Sequence, residues 1–593
     1  MSHTVGEQIL RRLIAWKVPR VYGYPGDGIN GILAGFHAVG DELEFVQTRH
    51  EELASFQACA HAKFTGEAGV CMATSGPGAV HLLNGLYDAR LDHQPVVAIV
   101  GQQARSSLGA DYQQEIDLVS LYKDVAREFV QMLTVPAQVD LLIDRAMRVA
   151  AATRSVTAII VPNDVQELDY SEPPRAHGAV FSSVGYRAPH TVPAPSQIDA
   201  AAELLNSGER VAMLIGQGAI GAADEVLQTA DLLGCGIAKA LNGKAAVPDD
   251  LPHVTGGIGL LGTKPSYEMM EGCDTLLMVG TNFPYAEWLP EPGQARCVEI
   301  DIDGRLIGIR YPTEVALVGD AAATLRELIP RLSRRSDHAW REEIESGVAR
   351  WWEILDERAH QGAEPLNPQW VFHELSERLP DRAILTSDSG SSANWWARHV
   401  KVREGMMCAL SGTLATMCPA VPYAVAAKFA YPDRPVIAAI GDGAMQMIGI
   451  NSLIDVAKYR DRWSDPRLVI CVLHNDDLNQ VTWEQRVMSG DARLEVSQQL
   501  PDFDYAGYAR LLGLEGIRVE SPDGVGEAWD QALEADRPTL LEFVTDPEVP
   551  PLPPHIRFEQ AHGMAKALAD RDPASGRMVR ESLKGKLAEF LTR

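Results

Sequence analysis

Residues 436–447 read VIAAIGDGAMQM, and their reading decides the rest of the chain. Val436 to Ile440 is a run of small and branched apolar residues, the pattern of a strand buried on both faces. It stops at Gly441-Asp442-Gly443, and a helix-like stretch begins at Ala444. Strand, glycine turn and helix make the unit of a parallel α/β sheet, and the N–H groups at a helix mouth suit a phosphate. Asp442 would repel that anion. A hard divalent cation between the two reverses the sign of the contact and requires further oxygen ligands. The stretch RLVICVLHNDD (467–477) is a second apolar run, ending at Asn475. The side-chain oxygen of Asn475 and the carbonyl of Asp477 make a candidate ligand set with Asp442. Parallel strands ending side by side would gather these groups at the carboxyl edge of a sheet, where open α/β folds bind ligands. The competing reading is a bare strand–turn–helix with a capping aspartate.

Outward from this motif the same pattern recurs. RVYGYPG, GVCMATSGPG, PVVAIVGQ and RSVTAIIVPNDV read as strands of a first unit, residues 1–170, with a helix over Glu51 to Phe64. A polar, proline-bearing linker follows at 171–194. The second unit, 195–335, opens with RVAMLIGQGAIG, has strands at DTLLMVG and ARCVEIDID, and closes near VALVGDAAATLRELIPRL. A charged, Trp-rich connecting helix occupies part of 336–364. The third unit, 365–548, holds AILTSDSG, PVIAAIGDG, RLVICVLHND and PTLLEFVTD; a proline-rich arm and a helical tail fill 549–593. Alternating strands and helices predict an α/β fold of three doubly wound parallel-sheet domains.

Composition narrows the class. The 593 residues exceed one core, and a formal net charge of −27 argues against nucleic-acid binding. Eight scattered cysteines with no CxxC pair read as reduced thiols of a cytoplasmic protein. The N-terminal stretch shows no signal-peptide pattern, and no apolar run has membrane-spanning length.

GDG followed by a strand ending in Asn resembles the diphosphate–metal motif of thiamine-diphosphate-dependent enzymes. The likeness extends through TRHEELASFQACAHAKFTG, TSGPGAVHLLNGLYDARLDHQPVVAI and LATMCPAVPYAVAAKFAYPDRPVIAAIGDG, and is to the pyruvate oxidase and acetolactate synthase branch. In GLLGTKPSYEMMEGCDTLLMVGTNFPY the central unit is most similar to pyruvate oxidase and quinone-linked pyruvate dehydrogenase. The resemblance implies a pyrimidine-binding domain, a central FAD-type domain and a diphosphate-binding domain. Its cofactors would be thiamine diphosphate, Mg2+ or Ca2+, and FAD. Glu51 in RHEELASF matches the glutamate that shares a proton with the aminopyrimidine, a role suited to a buried carboxyl. Ala415, Thr416 and Met417 match the support beside the pyrimidine, although a lone Met is also core filler. The family carries glycine where this chain has Cys418. Gly441, Asp442, Gly443, Ala444, Asn475 and Asp477 to Val481, taking in Leu478, Asn479 and Gln480, fall on the diphosphate and metal segment. Gln114 matches an amide near the substrate, able to steady an oxyanion. His93 matches a polar residue of that pocket, or is a structural histidine. GQGAIG (216–221) is a dinucleotide fingerprint without the acidic residue expected about twenty positions on. The resemblance places FAD instead on Gly259, Gly262, Gly280, Thr281, Asn282, Phe283 and Asp301.

Reaction type turns on DDLNQVTWEQR. Val481 and Glu484 match an apolar residue and a glutamate of the pyruvate oxidases, whereas the synthases place tryptophan at the Glu484 position; Trp483 is one residue early. Gln480 and Gln113 stand for two pocket phenylalanines, and Asn479 for a glycine, which makes a more polar pocket. The sequence thus points to decarboxylation of a small 2-oxo acid, pyruvate foremost, with flavin-linked oxidation. The alternative is acetolactate-synthase-like carboligation with idle or absent flavin. A binding protein that has lost turnover is disfavoured by the presence of Glu51, Asp442 and Asn475 together. The resemblance also implies a homodimer or homotetramer, with Glu51 and Asp442 of one site on different chains. Val579, Leu583, Leu587 and Leu591, interleaved with basic residues, suggest either peripheral membrane contact or a helix packed on its own subunit.

Overall fold

The computed structural model describes residues 3–551 together with positions 553, 554, 563 and 567. Apart from positions 563 and 567, the chain from 555 onward, with Val579, Leu583, Leu587 and Leu591, lies outside the described residues. Three six-stranded sheets, parallel throughout, follow one another along the chain. The first contains β1 (Arg20–Gly23), β2 (Glu44–Gln47), β3 (Gly69–Ala73), β4 (Val96–Gln102), β5 (Val130–Met132) and β6 (Val156–Pro162), in spatial order 2-1-3-4-6-5. The second contains β7 (Val211–Ile215), β8 (Gly236–Lys239), β9 (Val254–Gly257), β10 (Thr275–Val279), β11 (Arg296–Asp301) and β12 (Val315–Val318), in order 12-11-10-7-8-9. The third contains β13 (Ile384–Ser387), β14 (Met407–Ala409), β15 (Val436–Gly441), β16 (Leu468–His474), β17 (Glu515–Val519) and β18 (Thr539–Val544), in order 14-13-15-16-18-17. The outer sheets therefore share one topology, and the central sheet has the 3-2-1-4-5-6 order of dinucleotide-binding folds.

The inner strands are buried over most of their length because helices cover both sheet faces; β3, β4, β6, β7 and β10 are buried at every position. Residues 171–194 form no helix or strand; Arg12 and Arg148 hold them to the first domain through the carbonyls of Ser182 and Ser183. The connecting helix spans Ala339–Ala359. Among the described residues, no helix is long and apolar enough to cross a membrane.

The helix Glu51–Thr65 fixes how the first and third domains meet. Its small residues, Ala54, Ala58 and Ala62 among them, allow close approach of the alanine-rich helix Ala420–Ala430. Both contribute to one apolar core running through the two domains. Within it the Lys63 ammonium donates to Asp92 at 2.7 Å and to the Leu410 carbonyl, and the Tyr423 hydroxyl donates to Asp88. The carboxyl edge of the central sheet faces both neighbours. Gln217 bonds the Asp92 carbonyl, while Arg398 donates to the carbonyls of Leu260 and Gly262.

Candidate active site

The order of consecutive strands reverses between β1 and β3, between β10 and β7, and between β13 and β15; the outer sheets reverse again at one edge, where β6 and β18 lie inside β5 and β17. Loops leaving the carboxyl ends of such a pair diverge and open a crevice, the usual ligand position of open α/β sheets. Glycine turns stand at all three. In the central sheet the crevice mouth is closed by backbone. Gly218 N–H donates to the Gly280 carbonyl at 2.9 Å, and a Cβ on Gly280 would lie 2.5 Å from the Gly218 Cα. In the third sheet it is open, since a Cβ on Gly390 or on Gly441 would meet nothing within 4 Å.

The open crevice is lined by the two strand ends and two further segments. Leaving β15, Asp442 is 2% exposed and its carboxylate accepts three backbone N–H groups. These come from Asn475 and Asp476, each at 2.7 Å, and from Gly443 at 2.8 Å. β16 runs beside β15 and turns sharply after His474; Asp476 takes a left-handed φ of +54° to aim both N–H groups at Asp442. The Asn475 side-chain oxygen accepts from Asp477 N–H at 3.1 Å. The Asp477 carboxylate is taken up by Thr482 and Arg493, so the carbonyl is the oxygen this residue has to offer a cation. Burial pushes the Asp442 carboxyl up to about 6, against the pull of its N–H partners. A buried oxygen cluster short of positive charge is chemistry that a hard divalent cation satisfies. Asp442, His474 and Asp476 also lie close enough to share an ion, but both His474 nitrogens are already committed, Nδ1 to Glu542 at 2.7 Å and Nε2 to Asp476 at 2.8 Å.

Met417 and Leu478 close the turn from above. Their side chains approach Gly443 so nearly that a Cβ there would lie 3.5 Å from the Met417 Cε and 2.7 Å from the Leu478 Cδ2. The segment carrying Ala415, Thr416 and Met417 is bent, with Ala415 at φ +53° and Cys418 at φ +82°. Cys418 thus occupies the conformation that glycine adopts freely. Asp388, at the end of β13, holds the bend by accepting from Cys418 N–H at 2.9 Å and from Ala420 N–H. Burial raises its carboxyl to about 7. Asp388 is not among the residues singled out from the sequence, although SDSG (387–390) repeats the strand–acid–glycine signal of GDG.

Glu51 starts its helix. His50 is the N-cap, accepting from Glu52 N–H, and Gly66 ends the helix in the left-handed conformation. The Glu51 carboxylate meets His81, likewise not singled out from the sequence, with Oε2 2.9 Å from Nδ1. Gln114, at φ +63°, packs against Gly76 two residues from Gly78 and reaches Ser75 at 3.4 Å. Burial lowers the pKa of His93, and the charged groups acting on it are Asp92, Arg154, Asp303 and Arg305. No hydrogen bond or ion pair among the described residues links Glu51 to Asp442, Asn475 or Met417.

After Asp477 the helix Asn479–Glu484 turns Val481 and Glu484 to the surface and buries Asn479 and Trp483. The Trp483 and Asn479 side chains both donate to the Pro547 carbonyl, at 3.0 and 2.7 Å. Gln480 accepts from Asn394 at 2.7 Å and donates to Glu484 at 2.9 Å. In the central domain Gly259 and Gly262 follow β9, Gly280 to Phe283 follow β10, and Asp301 ends β11, so all lie on one carboxyl edge. Asn282 accepts from Arg310 at 2.6 Å, Phe283 packs against Gly259, and burial raises Asp301 to about 6.

Three parallel-sheet domains, with an open carboxyl-edge crevice that carries a buried aspartate beside glycine turns, define a class of ligand-binding α/β proteins. Residues 3–121 match the thiamine pyrophosphate enzyme N-terminal TPP binding domain, 198–328 the central domain and 388–543 the C-terminal TPP binding domain. The chain is 36% identical to the putative thiamine pyrophosphate-containing protein YdaP of Bacillus subtilis, over 95% of this chain and 96% of that protein. It is 32% identical to the probable acetolactate synthase large subunit of Methanocaldococcus jannaschii, over 93% and 94%. It is 29% identical to the pyruvate oxidase of Lactiplantibacillus plantarum, over 94% and 91%. The chain belongs to the thiamine-diphosphate-dependent enzymes, in the family that includes acetolactate synthase and pyruvate oxidase.

Proposed function

We propose that the protein decarboxylates a 2-oxo acid, pyruvate foremost, and passes the electrons of the remaining fragment to FAD, with oxygen or a quinone as final acceptor. The observation that supports the redox reading is the position of Trp483. Its indole is buried and bonded to the Pro547 carbonyl, so the surface turn after Asn475 carries Val481 and Glu484, as in the oxidase pattern. When bound, thiamine diphosphate supplies the electron sink that makes loss of carbon dioxide feasible. Asp442, Asn475 and the Asp477 carbonyl would hold Mg2+ or Ca2+, and the Gly441 and Gly390 turns the diphosphate. Met417, with Ala415 and Thr416, would prop the pyrimidine, and Glu51 would share a proton with its ring nitrogen. Gln114 would steady the substrate oxygen. Two features of the central edge, outside its closed crevice mouth, support a flavin dinucleotide there: the Thr281 hydroxyl is buried without a partner, and Asp301 has carboxylate oxygen to spare beside its bond from Asp303 N–H.

The family resemblance, in which one site draws the residues matching Glu51 and Asp442 from different chains, supports a site shared between two copies. Exposed Tyr24, Val80 and Tyr112 beside the first set of loops, and Met447, Val481 and Leu494 beside the second, provide apolar surface for that contact. One observation favours carboligation, or a bulkier 2-oxo acid. The Asn394–Gln480–Glu484 chain is polar where the oxidases carry phenylalanine. The visible spectrum of the purified protein before and after anaerobic addition of pyruvate tests the choice. A yellow protein that bleaches is expected. A colourless protein, or a yellow one that keeps its colour while forming acetolactate, refutes the redox reading.

A further inference from the structure

We infer that His81 is the positioning residue of Glu51, holding one carboxylate oxygen so that the other is presented to the aminopyrimidine nitrogen; this rests on the proposed role of Glu51. Glu51 is the first residue of its helix, where the free N–H groups of the opening turn compete for a carboxylate. Left alone, the side chain would fold back onto them. One contact opposes this: Oε2 lies 2.9 Å from the His81 Nδ1. Oε1 faces Gly78, whose lack of a side chain leaves it room, since an added Cβ would be 3.1 Å away.

The His81 ring is itself fixed. It stacks on His50 with centroids 4.5 Å apart and planes at 29°. The His50 Nδ1 accepts Glu52 N–H at 3.2 Å, which leaves that ring its proton on Nε2. An ionised carboxylate only accepts, so His81 meets it with its Nδ1–H. It ends the short helix Pro77–His81, which leaves the switch point of the first sheet, so the sheet edge decides where Glu51 points. His50, Glu51 and His81 lie near enough for a shared ion. The stacking argues against one, because in-plane lone pairs of near-parallel rings do not converge on a single ion.

The test titrates the apo protein, with Mg2+ present, against two probes. One is thiamine diphosphate; the other is its analogue with C–H in place of the ring nitrogen that faces Glu51. The wild type should prefer the true cofactor by roughly 10–100-fold, the worth of one hydrogen bond to a charged group. His81→Ala should bring that ratio to within about threefold of one. His81→Asn, whose Nδ2 stands where the ring Nδ1 stood, should keep it. The side chain of His81 is 43% exposed, so its removal spares the core, and a general loosening would weaken both probes alike and leave the ratio intact. An unchanged ratio in His81→Ala, or equal loss in the Ala and Asn variants, overturns the inference while the role of Glu51 stands. A wild-type ratio near one removes the role of Glu51 and that of His81 with it.

Discussion

Asp442→Asn distinguishes a cation ligand from a helix cap. The native carboxylate takes two N–H bonds on Oδ2 and one on Oδ1. An asparagine keeps the pair with its single carbonyl oxygen, but its NH2 then faces Gly443 N–H. That leaves the half-buried Gly443 N–H without an acceptor, a cost of about 1–3 kcal/mol. In the other direction, burial has raised the carboxyl to about 6. Keeping it ionised at neutral pH therefore costs about 3 kcal/mol relative to the unfolded chain, a penalty the amide does not carry. The two effects nearly cancel, so the cofactor-free variant should melt within about 3 °C of wild type. Cofactor binding has no such cancellation. A neutral amide no longer offsets the cation between Asp442 and the diphosphate, and thiamine diphosphate affinity should fall by roughly 100-fold or more, beyond what loss of an outer hydrogen-bond partner causes. Calorimetric titration with thiamine diphosphate at fixed Mg2+, with melting curves on the same samples, reads both quantities. Affinity within about threefold of wild type would refute the cation role and leave Asp442 a cap.

Two further substitutions examine the ground beside this site. Cys418 is fully buried at φ +82°, a conformation that costs a non-glycine residue about 1–2 kcal/mol. Cys418→Gly should lie within about 1 kcal/mol of wild type, because relief of that strain offsets lost packing and unfolded-state entropy. Cys418→Val should lose about 2 kcal/mol or more by thermal melting, and equal melting of the Val variant and wild type would show the bend to be unstrained. Asp388 has a folded-state pKa raised to about 7 from an ordinary 3.8 by burial. The native state therefore binds the extra proton between those values, and its contribution to stability is present at low pH and lost as pH rises through about 7. The melting temperature of Asp388→Asn relative to wild type should climb between pH 5 and pH 8; a constant difference across that range rules the assignment out.

Legibility in the sequence follows burial. Inner strands are covered on both faces and read as apolar runs, so β1, β3, β4, β6, β7, β10, β11, β13, β15, β16 and β18 are recognisable from the amino-acid pattern alone. The strands that do not stand out as runs are mostly the sheet edges. β2, β5, β14 and β17 are short and consist largely of half-buried or exposed positions. The edge strands are half-wet, and their pattern fades into that of a loop. β8, an inner strand, escapes recognition because it carries Gly236 and Lys239; the lysine is buried, yet satisfied by Asp249 and the carbonyls of Lys244 and Val247.

The sequence by itself determined the α/β class, three successive sheets and the short motifs that bear charge next to glycine, because strand burial and turn chemistry are local properties. Spatial strand order belonged to the tertiary structure alone. It is set by long crossovers that leave no local trace, and it decides which pair of glycine turns frames an open crevice and which is sealed by its own backbone. The fold also brought His81 onto Glu51 from thirty residues away and Asp388 onto Cys418. It turned Asn475 so that its N–H, together with that of Asp476, bonds Asp442. Such contacts join residues distant in the chain, and only packing of the sheets fixes their distance.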